Sequence, residues 1–208
     1  MPTLNYSVSV TGLGGSISQS IPRTADAGGN REVSLPVGYA GTLTTRTDNN
    51  TGTVTLASGH AITTGMNVDI YWSGGVQYDV TVGTVSTNSM PFDLGIGDNL
   101  PSTSTAVVVS PRSQINLDVD GDELSLLTIM QSYASNTETA DSHIEFQDSA
   151  DDVIAELDLQ ANAPQVYDIA GGSANPFAGD PITKAFASNG SVTNAATLKL
   201  LWLQDSTP

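Results

Sequence analysis

At 208 residues the chain is long enough to bury a core in one large or two small β domains. Charged side chains make up only 13% of it, while Thr, Ser, Asn and Gly abound, which fits polar strands joined by tight turns and excludes an architecture of long helices. A net charge of −16, with cations scattered at Arg23, Arg31, Arg46, Arg112, Lys184 and Lys199, leaves no basic stripe to neutralise phosphates, so neither nucleic acid nor an anionic membrane is an expected partner.

The amino-terminal forty residues offer Leu4 to Val10 as an alternating strand, a Gly12 to Gly15 turn, Ser16 to Pro22, a turn over Asp26 to Asn30, and Arg31 to Leu35 before Pro36. That is too little to fold alone. From Gly41 to Ser110 the alternation at Thr53 to Leu56, Asn67 to Tyr71 and Tyr78 to Val85, with glycine turns between, is the period-2 pattern of half-buried antiparallel strands. A small β-barrel follows from it.

Beyond residue 110 the predicted strands are Gln114 to Val119, Leu124 to Gln131, His143 to Gln147, Val153 to Leu159, Gln165 to Ile169, Ile182 to Ser188 and Ala196 to Gln204. Short strands at this spacing predict an all-β fold, a β-sandwich of jelly-roll type. The expected organisation is a discontinuous sandwich domain, residues 1–40 plus 111–208, with the barrel of residues 41–110 inserted at an exposed loop. Leu124 to Met130 and Leu198 to Leu203 carry apolar residues on both faces and are therefore read as central strands. Fifteen of the 22 acidic residues lie in 111–208, an excess that reads as solubility at high local concentration.

The chain has no cysteine, hence no disulfide and no thiolate chemistry. No apolar stretch approaches the roughly 18 residues of a membrane span, and the residues after Met1 lack a secretory pattern, so a soluble, cytosolically made protein is expected. The histidines, His60 and His143, fall in different predicted domains, and no nucleophile elbow, zinc-protease, phosphate-loop or dinucleotide motif occurs. His60 reads as a turn-closing side chain and His143 as a partly exposed strand residue. Paired carboxylates arise by chance in so acidic a segment, and the twelve aromatic residues form no cluster along the sequence to stack a sugar. Asp118, Asp120 and Asp122 begin as a calcium loop does, but Gly121 and Ile129 break the pattern, and an Asp-Gly hairpin explains them more simply, with calcium binding the alternative left open. Asp148 to Asp152 reads as a second hairpin turn. The expectation is a non-enzyme with no catalytic, cofactor-binding or metal residue and no cofactor.

The phrase Gly59-His60-x-Ile62-x-x-Gly65-x-x-Val68-x-Ile70-x-Trp72 resembles a small barrel module recurrent in bacteriophage virion proteins, itself similar to the second catalytic cysteine-half barrel of ubiquitin-activating enzymes. Arg23 to Asp26, Gly41 to Asp48, and Ala185 to Leu200 resemble turn and strand phrases of tailed-phage proteins. The resemblance implies a structural role: a capsid decoration, or cement, protein on the outside of the virion. It would bind the major capsid protein and, at local three-fold points of the shell, form a homotrimer. The alternative it leaves open is a tail, baseplate or host-binding adhesin protein.

Overall fold

The computed structural model describes residues 27–95, 99–121, 123–135, 137–140, 142–169, 172, 174–177 and 181–205 in full, and 3–12 and 15–24 as backbone. Among these residues there is no helix; the chain is built from sixteen strands.

Two four-stranded sheets form a sandwich, with orders β14-β11-β16-β3 and β10-β15-β12-β13. Their strands are β3 (Ala27–Leu35), β10 (Ser113–Val119), β11 (Leu124–Tyr133), β12 (Ser142–Gln147), β13 (Val153–Leu159), β14 (Pro164–Asp168), β15 (Ile182–Asn189) and β16 (Ala196–Gln204). Counted in chain order as first to eighth, one sheet runs first-eighth-third-sixth and the other second-seventh-fourth-fifth, with every pairing antiparallel. That connectivity is a jelly roll. The central-strand reading holds, since β11 and β16 are the middle pair of their sheet.

Alternation makes the sandwich core. On β10, Ile115, Leu117 and Val119 are buried while Gln114, Asn116 and Asp118 are exposed. These side chains meet Leu127, Ile129, Ile144, Phe146, Phe177, Leu198, Leu200 and Trp202 from the facing strands. Burying each large apolar side chain stabilises the fold by about 1.5–3 kcal/mol. Phe146 and Phe177 pack edge to face at 4.8 Å.

Strands β4 (Tyr39–Arg46), β5 (Thr51–Leu56), β6 (Asn67–Trp72), β7 (Gly75–Thr81), β8 (Ser89–Asp93) and β9 (Ala106–Pro111) form a separate six-stranded sheet, order β7-β6-β9-β4-β5-β8. It curls into a half-barrel, and an isolated bridge from Val82 to Phe92 draws its two edges together. Its own core includes Leu43, Val54, Val68, Ile70, Met90, Phe92 and Val109. The sequence pattern passed over β8 because of Pro91. This strand is at the sheet edge, where a residue without an N–H is tolerated.

Of the amino-terminal strands, β3 pairs with β16 and completes the sandwich. Strands β1 (Thr3–Gly12) and β2 (Gly15–Thr24) pair with each other as a two-stranded ribbon.

Candidate functional site

Several buried polar groups, among them Asp69, His143, Glu145 and Ser188, lie where the half-barrel meets the outer face of the β10-β15-β12-β13 sheet. Because side chains alternate along a strand, β12 sends Ile144 and Phe146 into the sandwich and His143, Glu145 and Gln147 outward. All six residues of β12 are nonetheless buried. The half-barrel covers the outward set, with Tyr78 of β7 stacked on His143 at 3.4 Å between ring centroids. This corrects the expectation of a partly exposed His143, whose side chain is 1% exposed. Period-2 alternation does not reveal a second layer packed on the outer face.

Arg112 sits in the link between β9 and β10 with its side chain 3% exposed. Nη2 lies 2.8 Å from Glu145 Oε2, Nε lies 3.5 Å from Asp69 Oδ1, and Nη1 donates to Asp79. Its guanidinium also lies over the Phe186 ring, 4.9 Å from the centroid. Asp69 accepts from the Ser188 hydroxyl and from the Asp79 backbone N–H. The Tyr71 and Ser188 hydroxyls share a further hydrogen bond. One cation thus ties β6 and β7 of the half-barrel to β12 of the sandwich.

Burial decides the electrostatics here. Desolvation raises the Asp69 carboxyl, an effect that Ser188 and Arg112 oppose. Burial, then repulsion from Glu145, raises Glu156 on β13. Burial holds His143 down to about 4, against the pull of Asp158, so its ring is neutral at pH 7. Tyr78 is raised by burial and by donating its hydroxyl to Asp158. His143, Glu145 and Glu156 each place one ligand atom within 4.8 Å of the others'.

Beside this cluster Tyr71, Trp72 and Tyr78 line a cleft of about 370 Å³ together with Asp158 and Gly190. Three of the twelve aromatic residues gather here, all from the single β6–β7 hairpin, which lays them against β12 and β13.

His60 follows the Gly59 turn, and its Nε2 lies 3.0 Å from the carbonyl of Thr87, so it bridges to a distant loop instead of closing its own turn. Asp118 and Asp120 are exposed around the β10–β11 turn, and Asp122 lies outside the described residues. Asp148 caps the β12–β13 hairpin by accepting from the Ala150 and Asp152 amides.

No family model matches the chain. No curated protein matches it. Among solved structures, the major capsid protein P2 from bacteriophage PM2 aligns over 98% of this chain and 99% of its own, at 11% identity and a TM-score of 0.17. A likeness of that size carries no argument about fold or role.

Proposed function

We propose that this protein is a structural component of a bacteriophage virion that decorates the outer surface of the capsid and stabilises it. The observation that carries the reading is the construction itself: a jelly roll bearing a second β unit, joined by a buried ion cluster around Arg112. Jelly rolls serve in viral coats and in lectins, so the fold alone is an analogy. The barrel and strand phrases that resemble virion proteins narrow it to the first.

Cementing a shell calls for a stiff scaffold, a face that crosses subunit boundaries and a solvated outer surface. The outer face of the β14-β11-β16-β3 sheet supplies apolar contact material in Met130 and Leu201, lining a shallow groove of about 300 Å³ with Thr128 and Lys199. Val166 on the same sheet is 39% exposed. In this reading that face meets the major capsid protein, three copies surround a local three-fold point, and the acidic surface faces water. Quantitative mass spectrometry of purified particles tests it: a simple ratio to the major capsid protein is expected, and absence from particles refutes it.

A second reading, a tail or host-binding adhesin protein, is favoured by the Tyr71, Trp72 and Tyr78 cleft with its Asp158 carboxylate, since sugars stack on aromatic faces and bond to carboxylates. A handful of copies per particle, with glycan binding, would select it.

A further inference from the structure

His143 and Glu145 alternate on the outer face of β12, and Glu156 stands opposite Glu145 on β13. Pleat and register therefore put one imidazole and two carboxylates on a single face, with a ligand atom of each within 4.8 Å of the others'.

His143 is the informative member. Its Nδ1 faces Asp158 Oδ1 at 3.4 Å, while its Nε2 is buried with no hydrogen-bond partner among the described residues. A carboxylate beside Nδ1 holds the proton there and leaves the Nε2 lone pair as the donor, the arrangement by which outer carboxylates orient metal-binding histidines.

Glu145 has capacity to spare. Gln147 and Arg112 occupy one oxygen each, and a carboxylate offers about four lone-pair sites. Glu156 is exposed, giving an ion a route in. Acids also outnumber the nearby cations: Arg112 meets Asp69, Asp79 and Glu145, Glu156 and Asp158 stand beside them on β13, and the neighbouring Lys184 is paired with Asp151.

We propose that His143, Glu145 and Glu156 bind a divalent transition-metal ion of the zinc class, which staples β12 to β13 beneath the half-barrel. One nitrogen and two oxygen donors match the zinc ligand set, with a fourth tetrahedral position left to water. Calcium, which takes about six to eight oxygens, and magnesium, which favours octahedral oxygen, fit this set poorly. The inference stands apart from the virion reading, since metal binding and copy number are measured separately and either can fail alone.

The test is calorimetric titration of the chelator-stripped full chain with zinc chloride, paired with thermal unfolding. One equivalent of Zn²⁺ and a raised Tm are expected, with no comparable response to Ca²⁺ or Mg²⁺. His143→Ala removes binding, and His60→Ala retains it. Glu156→Gln weakens binding at least about tenfold, or 1.4 kcal/mol. The same change relieves repulsion with Glu145, so the metal-free variant is at least as stable as the wild type, and zinc reverses that order. This reversal separates a ligand from a residue needed only for folding. Absence of Zn²⁺ binding, an equal response to Ca²⁺, unchanged binding in Glu156→Gln, or loss in His60→Ala overturns the proposal.

Discussion

Arg112 reaches Glu145 across the joint between half-barrel and sandwich, with Nη2 2.8 Å from Oε2 and both side chains no more than 3% exposed. A buried pair of this kind adds little stability over a well-packed apolar pair, but breaking it is costly because the remaining charge is stranded out of water.

Arg112→Met therefore strands Glu145 and Asp69 and is expected to cost about 3–5 kcal/mol. Urea unfolding followed at separate probes in half-barrel and sandwich checks this, with the two transitions moving apart as the joint weakens. Arg112→Lys is not a conservative repair, because one ammonium cannot reproduce the forked contacts to Asp69, Asp79 and Glu145. A loss under about 1 kcal/mol in Arg112→Met would mean that the joint is held by apolar contacts instead.

Gly29 on β3 pairs with Trp202 on β16, and a Cβ at residue 29 would come within 2.8 Å of the indole Cε2. Gly29→Ala is expected to displace the ring and destabilise the sandwich by about 1–3 kcal/mol. Thermal unfolding and Trp fluorescence read the effect, and an unchanged Tm would show that the indole shifts freely.

Glu138 organises the loop after β15. Its carboxylate accepts from Ser191, Asn194 and the Ala140 amide. The Asn194 and Ser191 bonds lead the causes that hold its pKa near about 2. The folded value lies below the unfolded one, so this contribution is fully present above about pH 4.5 and fades as pH falls toward 2. Glu138→Gln is expected to flatten the acid limb of the stability profile, measured by urea unfolding from pH 2 to 6. Parallel wild-type and variant profiles would rule the contribution out.

Gln131 is fully buried on β11, and neither atom of its amide has a partner among the described residues. Gln131→Met keeps the volume and removes the desolvation cost, so a gain of about 1 kcal/mol is expected in thermal unfolding. A loss would reveal that the amide is satisfied in solution by an internal water.

Strand positions were legible wherever one face is wet. Val153 to Leu159 on β13 matches the expected bounds, and β10 and β16 agree to within a residue because alternation or a bounded apolar run marks them. The two-sided apolar character of Leu198 to Leu203 announced a central strand for the same reason. The β4, β8 and β9 strands carry no clear linear signal, β8 being interrupted by its edge proline and β9 being a run of valines without alternation.

The candidate site was not legible. Asp69, Tyr78, Arg112, His143, Glu145, Glu156 and Asp158 come from five separate stretches of chain, and each alone reads as an ordinary strand or turn residue. Sequence by itself determined the all-β class, most of the strands and the inward side of those that alternate, because these follow from the two-residue period of the backbone. Only the tertiary structure decided that the outer face of β12 is covered, since docking of the half-barrel is set by contacts among residues far apart in the chain. That cover removes water from His143, Glu145 and Asp69 while Asp158 and Glu156 stay exposed, and the desolvation shifts the acidities of His143 and Asp69 at this joint.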